Sequence, residues 1–130
     1  MSERFASGST RARGDATEVL VVAELRRRGL ALVERNAEQG GAEVDLIAKT
    51  ADGSTFVFIE VRGRSREDLG TPVQTVDARK QRQIVRAATA WLVRNELWEK
   101  VAVRFDVVGV THARDEAPTL EWLEHAFEVE

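Results

Sequence analysis

The feature that most constrains this chain is an Asp-Gly pair, Asp52-Gly53, set between two runs of alternating β-formers. Such a pair is among the strongest short-range hairpin signals, because tight hairpin turns need residues that accept positive φ. The stretch from Gly40 to Arg66 therefore reads as a hairpin, with strands over about 43–50 and 55–62 around a turn at 51–54. Placing Thr50 opposite Thr55 fixes every facing pair. Asp45 then faces Glu60, and Glu43 faces Arg62. Val44, Leu46, Ala48, Val57, Ile59 and Val61 share one face, an apolar set suited to a core. The other face is apolar near the turn, with Ile47, Phe56 and Phe58. At its open end it gathers Glu43, Asp45, Glu60 and Arg62.

Two carboxylates opposite each other on a strand pair are destabilising. A divalent cation between Asp45 and Glu60 would remove that conflict, since hard cations take carboxylate oxygens. In the other reading, Glu43 and Arg62 form a surface salt bridge, and Asp45 and Glu60 are merely solvated beside it. The hairpin alone leaves both open.

The rest of the chain frames this hairpin. At 130 residues it suffices for one domain with one core, and 43% hydrophobic with 32% charged residues fits a globular protein. With no cysteine, disulfides, zinc–thiolate sites and thiol chemistry are excluded. The polar start carries neither a signal-peptide nor a membrane-span pattern, so the expected location is cytoplasmic, with no membrane partner. Residues 1–13 read as a flexible segment and 14–130 as a single domain.

From Gly14 or Asp15 to Arg28 the pattern is helical and ends at Gly29. Glu18, Val22, Leu25 and Gly29 share a face, so a carboxylate heads an otherwise apolar stripe. Residues 30–35 alternate as a strand, and 36–41 read as a loop with two glycines. A loop at 67–76, broken by Gly70 and Pro72, is expected to be mobile or to touch substrate. Asp77 then caps a helix reaching about Leu97. Lys80, Ile84, Ala87 and Trp91 share its inner face, while Arg79, Arg82 and Arg86 lie on another. Strands follow at 101–110 and 120–123, with Arg104 and Asp106 placed to form a structural ion pair. His112 and His125 receive no role. Helix, three strands, helix and two strands give an α/β fold, bordering on α+β, with a central mixed five-stranded sheet flanked by two helices.

The net charge of −3 argues weakly against nucleic acid, but its distribution is compatible with phosphate binding; an ordinary mixed-charge surface is the other reading. Residues 62–86 carry a net +4 and residues 111–130 a net −5. A basic strip without interleaved aromatics suits phosphate contact and not base readout.

Asp45 followed by Glu60-Val61-Arg62 resembles the D…(D/E)xK signature of restriction-endonuclease-like nucleases. The blocks GGAEVDLIA, FVFIEVRGRS, LGTPVQTVDARKQRQIVRAA and VRFDVVGV, in this order, resemble the YraN-like family over about Gly14 to Phe127. That bacterial family is uncharacterised and distantly similar to archaeal Holliday junction resolvases. The resemblance implies a restriction-endonuclease-like core and a metal-dependent endonuclease acting on nucleic acid, DNA by expectation and branched DNA in particular. It implies Mg²⁺ or Mn²⁺ on Asp45, Glu60 and the Val61 carbonyl, with Glu18 as an accessory ligand, and a homodimer. Catalysis would fall to Asp45, Glu60 and Arg62, and nucleic-acid contact to Arg64, Arg66, Arg79, Lys80 and Arg82. Arg62 stands where the signature has lysine. Arginine stays protonated, so it can clamp a phosphate but cannot act as a general base. A binding module that does not cleave, or a protein-interaction domain using the acidic tail, are the competing expectations.

Overall fold

Each element starts or stops where the side chains demand it. The computed structural model describes residues 11–65 and 71–128. Its elements are α1 (Arg11–Arg27), β1 (Ala31–Gln39), β2 (Ala42–Lys49), β3 (Thr55–Ser65), a short 3-10 helix (Pro72–Thr75), α2 (Ala78–Arg94), β4 (Ala102–His112) and β5 (Thr119–Phe127). The expected order of helices and strands is the observed one. Of the segment expected to be flexible, residues 1–10 lie outside the described chain, and α1 begins at Arg11.

One five-stranded sheet runs in the order β1-β2-β3-β4-β5. β1, β2 and β3 pair antiparallel in sequence, β3 and β4 pair parallel, and β5 returns antiparallel to β4. The parallel step is made by the α2 crossover, the connection such a pair requires. The central strands β2, β3 and β4 are buried on both faces, while the edge strands β1 and β5 are largely open. α1 covers one face with Val21, Val22 and Leu25 against Leu46, Ile59 and Val108. α2 covers the other with Ile84, Ala87 and Trp91 against Ile47, Phe58 and Phe105. Each fully buried aliphatic or aromatic side chain here contributes about 1.5–3 kcal/mol, which offsets the cost of the carboxylates buried beside them.

The central hairpin has the register the sequence dictates: Leu46 faces Ile59, Ile47 faces Phe58, Ala48 faces Val57 and Lys49 faces Phe56. Its turn is closed by Asp52, whose Oδ1 accepts from Thr50 Oγ1 at 2.8 Å, Ser54 N at 3.0 Å and Ser54 Oγ at 2.8 Å. Asp77 caps α2 as expected, its Oδ1 accepting from Lys80 N at 2.8 Å.

Several readings are corrected. The loop expected at 36–41 shrinks to Gly40-Gly41, since β1 continues to Gln39 with buried Ala37 facing Val44. Both glycines have positive φ, +60° and +81°, which is what a two-residue hairpin turn needs. β1 also carries a bulge at Val33, between Leu32 and Glu34. Val44 leaves the Leu46 face and packs in the α2-side core, because the β2–β3 ladder ends at Leu46↔Ile59 and strict alternation ends with it. The pairing of Glu43 with Arg62 is not made for the same reason, and Glu43 faces Glu38 on β1 instead. The described part of the 67–76 loop is pinned: Pro72 is buried against Gly109, where an added Cβ would come within 2.2 Å of the ring. α2 ends at Arg94, three residues early, with Asn95 taking over the Trp91 carbonyl through its own N–H at 3.0 Å and Nδ2 at 2.8 Å.

Candidate active site

The ladder between β2 and β3 stops one residue short of the carboxylate pair. Past that point Asp45 spans the gap with its side chain, Oδ2 accepting the Val61 N–H at 2.8 Å. A side-chain carboxylate thus stands where a backbone carbonyl would continue the sheet. Asp45 and Glu60 are each only 1% exposed. The reading in which they are simply solvated is therefore corrected: their strands are central, covered by α2 and α1, and exclude water from both side chains.

Among the described residues, Arg62 and Lys80 attend Glu60. Arg62 Nε lies 3.6 Å and Lys80 Nζ 3.9 Å from Glu60 Oε2. Lys80 reaches there because it heads the inner stripe of α2, as its spacing with Ile84 and Trp91 predicts. Arg62 is also spoken for: its Nη2 donates to the Thr75 carbonyl at 2.9 Å, tying β3 to the 3-10 helix. That partner has no sequence signal, since any residue supplies a backbone carbonyl.

Asp45 and Glu60 are both buried, and the Asp45 carboxylate is held by the Val61 N–H; carboxylate and carbonyl oxygens are hard donors of the kind Mg²⁺ or Mn²⁺ takes. Among the described residues no three of His, Cys, Asp and Glu gather as a metal-holding group, and Glu18 is engaged elsewhere. Its Oε1 accepts instead from Arg35 Nη1 at 2.6 Å, tying α1 to β1. The Thr17 hydroxyl before it is buried and lies 2.9 Å from His112 Nε2, a contact that joins α1 to the end of β4. Sequence reasoning gives His112 no role because nothing local links residues so far apart.

Of the expected nucleic-acid contacts, Arg79 and Arg82 are exposed on α2, with Arg86 further along. Arg64 is half-buried on β3, and Arg66 lies outside the described residues. Arg104 and Asp106 do form a closed structural pair, Nε to Oδ1 and Nη2 to Oδ2 both at 2.9 Å. That geometry raises the Arg104 pKa, first through the side-chain hydrogen bond to Asp106. No described helix is long and apolar enough to cross a membrane.

Residues 17–110 match the uncharacterised protein family UPF0102, the YraN-like proteins. The chain belongs to that family. A UPF0102 protein from Pseudomonas aeruginosa strain LESB58 is 38% identical over 121 residues, covering 92% of this chain and 95% of that one. UPF0102 proteins from Geotalea uraniireducens and Cupriavidus pinatubonensis are 41% and 42% identical, covering 89% and 94% of this chain and 89% and 90% of theirs. Among solved structures, Pyrococcus furiosus SfsA in complex with Ca²⁺ aligns at a TM-score of 0.39 and 15% identity. The alignment covers 92% of this chain and 65% of that one, a likeness too low to assign a function by.

Proposed function

We propose that this UPF0102 protein is a metal-dependent endonuclease hydrolysing phosphodiester bonds of nucleic acid, DNA in the first instance. The observation that carries this reading is the pair of fully buried carboxylates, Asp45 and Glu60, at the point where β2 and β3 part, with Lys80 and Arg62 beside them. Keeping two such groups out of water is costly unless cations or ligands balance them. The sequence resemblance to D…(D/E)xK nucleases falls on the same residues.

Asp45, Glu60 and the Val61 carbonyl would hold Mg²⁺ or Mn²⁺. When bound, such an ion lowers the pKa of a coordinated water and stabilises charge on phosphoryl oxygens. The protein's own part is positional. The Val61 N–H fixes the Asp45 carboxylate, and the α2 and α1 layers shield the pair from bulk water. Lys80 and Arg62 place positive charge where a phosphate would approach. Arg79 and Arg82 on exposed α2, with Arg64 and Arg66 after Glu60, would hold the flanking backbone. Branched substrates and a homodimer that cuts two strands belong to the same proposal, with the cytoplasm as the place of action. A second reading, a binding module that does not cleave, is favoured by Arg62, which cannot take a proton and is engaged by Thr75.

One assay decides between them. Four-way junction, flap, single-stranded and linear duplex DNA are incubated with Mg²⁺ or Mn²⁺ and either the wild type or Asp45→Ala. Cleavage by the wild type that falls at least ~100-fold in the variant is expected. A wild type that binds these DNAs and cuts none of them supports the binding module.

A further inference from the structure

We infer that Lys80, and not Arg62, is the cation that meets the scissile phosphate, and that Arg62 is a positioning residue. The inference rests on the nuclease reading above and reassigns roles within its site.

The two cations differ in what they have left to give. The Arg62 guanidinium bridges β3 to the 3-10 helix through the Thr75 carbonyl at 2.9 Å, with Nε buried against Glu60 at 3.6 Å. The turn it holds is itself anchored, by Pro72 against Gly109 and by Thr75 Oγ1 donating to the Pro72 carbonyl at 2.6 Å. Swinging Arg62 to a substrate would break its bond to that anchored turn. Lys80 carries no such duty. Its ammonium has three donors, and its one ion pair among the described residues is the open one to Glu60, at 3.9 Å. Its backbone is fixed by the Asp77 cap, while the side chain keeps about a quarter of its surface exposed, 27%.

Two ion pairs that tie elements of this protein together are closed, while the rim contact of Arg104 with exposed Glu124 is open at 3.9 Å. Arg35 to Glu18 is 2.6 Å and Arg104 to Asp106 is 2.9 Å. Arg62 and Lys80 stand further from Glu60, at 3.6 Å and 3.9 Å, beyond the roughly 2.7–2.9 Å of a charge-assisted hydrogen bond. An open pair leaves Lys80 close enough to balance Glu60, yet free to turn to a phosphate oxygen once another cation lies on the carboxylates. α2 thus carries the phosphate-facing Lys80 and the exposed Arg79 and Arg82 on one rigid element.

The test compares Lys80→Met and Arg62→Met with the wild type by three readouts: Mn²⁺ affinity by calorimetry, single-turnover cleavage of the best DNA substrate at saturating Mn²⁺ and DNA, and thermal melting. Lys80→Met removes a positive charge beside the ligands, so Mn²⁺ should bind several-fold tighter while the saturating rate falls ~100-fold or more. Its Tm should stay within about 2 °C of the wild type. Arg62→Met should lower Tm by about 4 °C or more and raise the DNA concentration for half-maximal rate. Its saturating rate should stay within about tenfold. A Lys80→Met enzyme that keeps its saturating rate, or an Arg62→Met enzyme that loses as much as Lys80→Met, overturns the inference and leaves the nuclease reading intact. A wild type that cleaves no substrate overturns the nuclease reading, and the inference falls with it.

Discussion

Three buried carboxylates sit in this sheet, and their surroundings separate structure from chemistry. Asp106 is 0% exposed and fully employed. It takes both arms of Arg104, the Trp122 indole N–H at 2.9 Å and the His125 N–H at 3.0 Å. The last of these bonds fills the irregularity where β5 carries extra residues between Leu123 and Phe127. Asp45 and Glu60 are as deeply buried, but Arg62 and Lys80 lie 3.6 Å and 3.9 Å from Glu60, and the ladder between their strands ends beside them. Removing one partner of a buried pair strands the other charge, so Arg104→Met should cost about 3–5 kcal/mol of stability in urea unfolding. Mn²⁺ affinity should be unchanged, because Arg104 is remote from the ladder gap. A change of less than about 1 kcal/mol would show that Trp122 and His125 suffice for Asp106. Asp45→Asn should behave oppositely: the amide oxygen still accepts the Val61 N–H, so folding survives while metal binding is lost.

The central hairpin shows how an element turns such residues into a register. Asp52 lies in its turn, and its pKa is lowered to about 2, first by the Ser54 backbone N–H and then by the Thr50 and Ser54 hydroxyls. A depressed carboxylate contributes its stability above its unfolded pKa and loses it as pH falls through the folded value. The turn should therefore be fully formed above about pH 4 and loosen toward pH 2. Titration of Asp52 followed by NMR should give a midpoint near 2, and a midpoint near 4 would refute the three-bond turn. This element was legible in the sequence because one local signal, Asp-Gly between alternating runs, fixes all later pairs. The same logic exposed Asp45 and Glu60 as an unusual pair, and the i, i+4 spacing of α2 put Lys80 above them. What was not legible is non-local or backbone-borne. The parting of β2 and β3 depends on a side chain replacing a carbonyl, the Arg62–Thr75 bond has no side-chain signature, and the Glu18–Arg35 pair joins elements that only tertiary packing brings together.

At the scale of the molecule, charge is sorted across the sheet. α2 packs over β2 and β1, while the acidic strand β5 forms the opposite edge. Arg79, Arg82 and Arg86 lie on the solvent side of α2 and form no ion pair among the described residues. On the proposed function, a protein of net charge −3 would meet a polyanion through such a local basic field, with the acidic edge turned away. Each phosphate neutralised releases condensed counterions and adds about 0.9 to the slope of log affinity against log salt for duplex DNA. Binding of a labelled duplex in EDTA should therefore weaken steeply with salt. Converting Arg79, Arg82 and Arg86 to Gln should flatten the slope by about one for each phosphate left without its arginine. Glu121→Gln, an exposed change of a single charge on β5, should leave the slope where it was. Equal effects from both edges would mean that net charge alone governs binding. An unchanged slope in the triple variant would take α2 out of the interface and move the phosphate track to the other basic stretch, around Arg64 and Arg66.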